Sequence, residues 1–305
     1  MTFPKISILM VTYNSSQFVN QAIESVLYND YSDFELIICD DCSTDNTWQI
    51  INSYNDTRIR KYLNNNNIGE YKNRNQILRY ANGEYCVFID GDDFLLLDGL
   101  LNAIRNMDRF VECQMGIVRP ENPKYIAPIS ISSKMALSIE FFSDGILDSA
   151  LCNNIFRTEF LKKYNLLEIY KNGDIYSRFL LADKAPVLIL YHAITIWRQT
   201  NTQASKKIGI IEQFMERKHF YENYLMQIES LDLIDKQRIK RDLDKRIIRY
   251  CIQRIFSINP ALISLLFKCN FSSLIYIERK RSVINFDQFD YYNLNIFNES
   301  SHSNK

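Results

Sequence analysis

Over the first hundred residues, short apolar runs alternate with stretches of helical period. Ile6 to Val11 is an apolar run of strand length, bounded by Thr12, Tyr13 and Asn14. A helix follows, its apolar face built from Phe18, Ala22, Ile23, Val26 and Leu27, with Ser15 or Ser16 expected as its cap. Phe34 to Cys39 predicts a second buried strand. The next helix carries Trp48, Ile51 and Tyr54, capped by Thr44 or Asp45. Ile59 to Leu63 reads as a third strand, Glu70 to Ala81 as a third helix stopped at Asn82-Gly83, and Tyr85 to Ile89 as a fourth strand. Such alternation demands a mostly parallel sheet with helices on both faces, because parallel strands need crossover connections.

The polar residues cluster where these strands end. Strand one runs into Thr12-Tyr13-Asn14, strand two into Asp40-Asp41-Cys42-Ser43-Thr44-Asp45, and strand four into Asp90-Gly91-Asp92-Asp93. In an open parallel sheet, ligands bind outside the carboxyl ends of the strands. Crowded carboxylates stay ionised together only when a cation or hydrogen bonds compensate them. Oxygen donors of this kind suit Mg2+ or Mn2+, ions that bridge phosphates. The pattern therefore points to a metal–phosphate site on one sheet edge. An EF-hand fits poorly, since the twelfth position counted from Asp90 is Leu101 rather than Glu. No Walker loop and no G-x-G-x-x-G fingerprint occurs, which weakens ATP hydrolysis and dinucleotide binding.

Composition changes the picture in two places. Lys and Arg number 36, as do Asp and Glu, but the balance hides an asymmetry. Residues 206–285 carry 16 basic against 9 acidic residues, and the break near Lys206 is the expected domain boundary. Residues 1–205 would form the catalytic domain, 206–285 a basic helical region, and 286–305 a partly disordered tail. The seven cysteines are scattered, and the Cys39-x-x-Cys42 pair has no second pair to complete a zinc site. No signal-like amino terminus is evident, and no uncharged apolar run reaches the roughly 20 residues that span a bilayer. The expected location is cytoplasmic, including the inner face of the membrane.

Taken together, these residues resemble the family 2 glycosyltransferases of the GT-A fold. The resemblance rests on Ile8-Leu9-Met10-Val11-Thr12-Tyr13-Asn14, on Asp40-Asp41-Cys42-Ser43-Thr44-Asp45, on Gly69-x-x-x-x-Arg74-Asn75, and on Gly83-Glu84-Tyr85 followed by Phe88-Ile89-Asp90-Gly91-Asp92-Asp93. It covers residues 5 to about 105 and thins afterwards. Asn172-Gly173-Asp174 is similar to a later family element. Trp197-Arg198-Gln199-Thr200 is similar to an aromatic-Arg-x-His element, with Thr200 where His is common.

The resemblance implies an inverting transfer of a sugar from a UDP-sugar to a glycan or lipid-linked glycan, in bacterial surface-polysaccharide or glycoprotein assembly. Val11, Tyr13 and Asp41 would hold the uridine; Arg74 and Lys72 would face the diphosphate. Asp92 would touch ribose, and Asp90, Asp92 and Asp93 would serve a divalent metal, Mn2+ or Mg2+. Asp174 would be the catalytic base. Asn153 and Asn154, with Trp197 and Arg198, are candidates for the acceptor side, which the segment from Arg119 to Leu161 would build. A catalytically silent nucleotide-sugar scaffold and a nucleotidyltransferase are the competing classes; the latter lacks its Gly-rich phosphate loop here.

The carboxyl-terminal third carries no motif. From Lys236 to Arg254 there are eight Lys and Arg but two Asp, with Ile239, Leu243, Ile247, Cys251 and Ile255 recurring every four residues. Such a helix packs on the catalytic domain with its basic face wet, or meets anionic membrane through residues 236–281; nucleic-acid binding is disfavoured, because no recognition motif accompanies the charge.

Overall fold

A computed structural model describes residues 3–119, 128–143, 145–166, 173–198, 209–253 and 268–269, all within one compact unit. Ten strands and nine α-helices are assigned among them: β1 (Ile6–Thr12), α1 (Val19–Leu27), β2 (Phe34–Asp40), α2 (Thr47–Ser53), β3 (Ile59–Leu63), α3 (Glu70–Leu78), β4 (Tyr85–Asp90), β5 (Phe94–Leu95), α4 (Gly99–Arg109), β6 (Met115–Val118), β7 (Ile129–Ile131), α5 (Ser133–Phe142), β8 (Asn154–Arg157), α6 (Thr158–Tyr164), α7 (Gly173–Lys184), β9 (Val187–Leu190), β10 (Thr195–Ile196), α8 (Ile210–Asn223) and α9 (Leu233–Gln253). A 3-10 turn, Leu151–Asn153, leads into β8, and another, Leu225–Gln227, follows α8.

Eight strands form one sheet in the order β3-β2-β1-β4-β8-β6-β9-β7. β1 pairs in parallel with β2 and with β4, and β2 with β3, so all four strands of the amino-terminal half end on one edge. β8 runs antiparallel between β4 and β6, while β6 and β9 restore the original direction. Every residue of β1 and β2 is buried, as strands covered on both faces must be. Ile6, Ile8 and Met10 face a core shared with α1 and α4, whereas α3 covers the opposite face of β1 and β2. β5 and β10 form a separate two-stranded ribbon.

Predicted boundaries hold closely for the strands and shift for the helices. α1 starts at Val19 without a side-chain cap; neither Ser15 nor Ser16 serves it. Their amides instead donate to Thr47 Oγ1 and Asp45 Oδ2, pinning the β1–α1 loop to the start of α2. Asp45 also accepts from the Thr47 amide, which is the cap-like role expected of it. Burial alone would raise this carboxyl, but hydrogen bonds from Thr47 and Ser16 outweigh it and hold Asp45 below the usual range. α3 ends at Leu78 rather than Ala81, because the amides of Arg79, Tyr80 and Ala81 bond the carbonyls three residues back in a tighter final turn; the carbonyls of Tyr80 and Ala81 are taken by Arg60 and Lys162.

The basic segment is helical, and its apolar stripe is inward. Ile239, Leu243, Ile247 and Cys251 are all buried, and Lys218 of α8 reaches Asp244 of α9 at 2.6 Å. α8 is itself fixed by ring contacts: Phe220 stacks on Tyr176 of α7 at 4.7 Å, and Tyr221 meets Phe141 of α5. Ile255, the stretch 261–277 apart from Lys268 and Cys269, and the tail 286–305 lie outside the described residues. Among the described residues, no helix is long and apolar enough to cross a membrane.

At the other end of the sheet, Glu35 of β2 accepts from Ser7 Oγ, the Asn82 amide and Arg60 Nη1. Burial would raise this carboxyl, yet these donors hold it below the ordinary glutamate value of 4.5. Stability from that shift is present above 4.5 and lost as pH falls through the folded-state value. Glu35→Gln should therefore cost about 1–2 kcal/mol at neutral pH. In urea titrations at stepped pH, the deficit should shrink below pH 4.5.

Candidate functional site

The carboxyl ends of β1, β2 and β4 are wired to one another by buried carboxylates. Asp40, fully buried, accepts from Thr12 Oγ1 at 2.8 Å and from the Ser43 amide at 2.9 Å. Asn14, at φ 51°, takes the Thr44 amide on its side-chain oxygen and returns its own amide to Ser43 Oγ. These bonds lock the loops after β1 and β2 together and leave the Tyr13 ring 49% exposed at the edge. Val11, just before it, is buried in β1.

Asp41 has a different task from its neighbour. Its Oδ1 accepts from Asn64 Nδ2 and the Ile68 amide, and its Oδ2 from the Gly69 amide. The carboxylate therefore anchors the loop that delivers α3. Gly69 sits at φ +90°, a conformation L side chains rarely adopt, with open space around its missing Cβ. Backbone conformation, rather than crowding, is what requires glycine at the head of the Gly69-x-x-x-x-Arg74-Asn75 motif.

α3 then projects two groups into the site. Arg74, 4% exposed, donates to Asp90 Oδ1 at 2.7 Å and to Glu70 Oε1 at 2.9 Å. Burial opposes its charge, but Asp90 and Glu70 overcome that opposition and hold the guanidinium above its ordinary value. One turn earlier, the Tyr71 hydroxyl donates to Asp174 Oδ1 at 2.8 Å. Asp174 lies in the first turn of α7 with its side chain 17% exposed. Lys72 is exposed on the same helix.

At the end of β4, Gly91 passes so close to β1 that a Cβ there would stand 2.7 Å from Thr12 Cγ2. The turn places three carboxylates side by side. Burial and the Asp90 charge push Asp92 up to about 6, and the same causes push the fully buried Asp93 up to about 7. Asp93 Oδ1 accepts the Arg198 amide, while Oδ2 is buried with no hydrogen-bond partner. The side chain of Arg198 lies between the rings of Phe18 and Phe94 and donates to the Asp92 carbonyl and to Gln21. Trp197 beside it is 44% exposed.

Among the described residues, no three His, Cys, Asp or Glu side chains are gathered closely enough to hold a metal by themselves. The donors nonetheless fit a hard cation completed by ligands from a bound molecule. They are all carboxylate oxygens, their mutual repulsion is incompletely balanced, and Asp93 carries an unsatisfied buried oxygen.

Two of the acceptor-side candidates, Asn153 and Asn154, bond backbone groups within the fold. Asn153 Oδ1 accepts the amides of Ile194 and Thr195, and the fully buried Asn154 donates to the carbonyls of Ala150 and Leu151. Residues 120–127, Asn172, Gln199 and Thr200 lie outside the described residues. Cys39 is buried beside Asn64 and Gln76 and its thiol is pushed up to about 12, chiefly by burial; none of the described thiols is in a disulfide. Sequence reasoning missed Tyr71 and Arg178. Each had a signal in its spacing: Tyr71 stands three residues before Arg74, and Arg178 four after Asp174.

Comparison with known proteins gives a consistent answer. The profile described as Glycosyl transferase family 2 matches residues 7–164. The chain is 40% identical over 103 residues to an Escherichia coli UDP-Glc:alpha-D-GlcNAc-diphosphoundecaprenol beta-1,3-glucosyltransferase, covering 34% of this chain and 41% of that protein. It is 30% identical over 163 residues to the Staphylococcus aureus poly(ribitol-phosphate) beta-N-acetylglucosaminyltransferase TarS, covering 52% of this chain and 28% of TarS. Both matches span less than half the relative's length. The crystal structure of TarS residues 1–349 with UDP-GlcNAc superposes with a TM-score of 0.61 at 20% identity, covering 81% of this chain and 72% of that one, and so shares the fold.

The central cation should matter to folding as well as to binding. Arg74→Met removes the charge that Asp90 and Glu70 share, and since both carboxylates stay partly wet, the cost should be about 2 kcal/mol in denaturant titrations.

Proposed function

The chain belongs to glycosyl transferase family 2, and from that premise we propose that it transfers a sugar, with inversion, from a UDP-sugar to a glycan or lipid-linked glycan acceptor. The observation that carries this reading is the position of α3. One helix bonds both Asp90, at the carboxylate edge, and Asp174, on the opposite wall. An inverting transfer needs a carboxylate on the acceptor side, opposite the departing diphosphate.

Tyr13 and Asp41 would hold the uracil across the ends of β1 and β2, with Val11 beneath. Arg74, and Lys72 from the same helix, would bring positive charge toward the diphosphate. Asp90, Asp92 and Asp93 would hold a divalent cation, Mn2+ or Mg2+, which when bound supplies positive charge opposite the phosphates. Asp174 takes the proton of the acceptor hydroxyl as its oxygen bonds the anomeric carbon. The bond from that carbon to the diphosphate oxygen breaks, and its electron pair leaves with UDP. The relatives' names support a UDP-sugar donor and a lipid-linked or polymeric glycan acceptor. A silent scaffold would have no use for a poised carboxylate at Asp174.

Contact with the membrane, where a lipid-linked acceptor resides, would involve α9. Its apolar stripe is covered, so the contact would be one of charge, through the exposed Arg246 and Arg249.

Calorimetry with UDP and a panel of UDP-sugars, with and without Mn2+, tests the donor site. Binding should be uridine-selective and metal-dependent, and Asp92→Ala should abolish it. Asp174→Asn should keep that binding and lose turnover by about 100-fold or more. Binding that ignores both base and metal would overturn the reading. For the membrane, vesicles rich in phosphatidylglycerol should retain the protein at low salt and release it at about 0.5 M NaCl, where the Debye length is a few ångströms. Replacing Arg246 and Arg249 with Glu should prevent retention.

A further inference from the structure

Asp174 is gripped from two sides by residues to which the transfer described above assigns no part. The Tyr71 hydroxyl donates to Oδ1 at 2.8 Å, and Arg178 Nη1 donates to Oδ2 at 3.1 Å. Arg178 is fully buried, and its Nε and Nη2 donate to the carbonyls of Leu147 and Ser149 at 2.6 and 2.7 Å. The two donors come from different helices, α3 and α7, and reach different oxygens of one carboxylate. We propose that Tyr71 and Arg178 are positioning residues for the general base, fixing the plane of the Asp174 carboxylate so that a free lone pair meets the acceptor hydroxyl. The inference rests on the reading of Asp174 as base.

The geometry supports it in three ways. A carboxylate oxygen has two acceptor directions, and each oxygen of Asp174 has one named donor, leaving capacity for the incoming proton. An aspartate in the first turn of a helix would otherwise rotate about its side-chain bonds, and displacement by about 1 Å can cost two orders of magnitude in rate. Burial, reinforced by the charge of Asp174, carries the Tyr71 phenol far above its ordinary range, and it remains a donor at every working pH.

The arrangement also couples the two ends of the site. Tyr71 and Arg74 lie one turn apart on α3, so the helix that pairs with Asp90 sets the position of the base. Arg178 ties the same carboxylate to residues 147–149, which lead into the 3-10 turn at Leu151–Asn153 and hence to Ile194 and Thr195. A shift at either wall would reach Asp174 through a hydrogen bond.

The test measures release of UDP to water from UDP-glucose and UDP-N-acetylglucosamine by the full-length wild type, Tyr71→Phe, Asp174→Asn and the double variant. UDP affinity by calorimetry reports folding. Tyr71→Phe should lower kcat about 10-fold with donor KM unchanged. In the Asp174→Asn background it should cause no further loss. Equal losses in both backgrounds, or a Tyr71→Phe enzyme with wild-type kcat, would overturn the proposal while leaving Asp174 as base. Wild-type turnover by Asp174→Asn, or no UDP release by the wild type, would overturn the reading beneath it. Should Tyr71→Phe fail to bind UDP, Arg178→Lys carries the same test: lower kcat, intact UDP affinity and no loss beyond Asp174→Asn support the role, and additive loss sinks it.

Discussion

The pairing of Arg74 with Asp90 is the contact on which the rest of the site depends. Three aspartates follow one another within four residues at the end of β4, and two of them are pushed toward neutral pKa values by burial and by Asp90. Without a cation among them, that edge would protonate or open. The buried guanidinium supplies the resident charge, and its helix fixes the distance between the carboxylate edge and the wall that carries Asp174. A ligand entering the site therefore meets a field already partly balanced, with Asp93 Oδ2 left unsatisfied.

Carboxylates do a second job here, as architecture. Asp40, Asp41 and Asp45 are consecutive features of one loop, yet each organises a different segment: Asp40 the end of β1, Asp41 the approach to α3, and Asp45 the start of α2 with the β1–α1 loop. Each accepts backbone amides that would otherwise be stranded at the sheet edge. Rigid loops at the carboxyl ends of parallel strands form the edge at which open sheets of this kind bind ligands.

The carboxyl-terminal helices join the same core instead of standing apart. Phe220 meets Tyr176 and Phe179 of α7, the helix whose first turn holds Asp174. Packing of α8 thus supports the helix that carries Asp174, while α9 spends its apolar stripe on the protein and leaves Arg246 and Arg249 in water.

The sequence alone determined the strands, because a two-sided buried strand is a continuous apolar run and β1, β2 and β4 read as such to within a residue. It also determined the chemistry at their ends, since Asp40-Asp41, Asp90 to Asp93 and Gly69 to Asn75 are local patterns. Helix starts were less legible: Ser15 and Ser16 look like caps, but a cap depends on where the amide points, and α2 lies close enough to claim theirs. Asn153 and Asn154 suggested an acceptor surface, and only the packing revealed that their amides hold the backbone. The grip of Tyr71 and Arg178 on Asp174 was decided wholly by tertiary structure. Tyr71 and Asp174 are 103 residues apart, and no periodicity records which two helices will face one another.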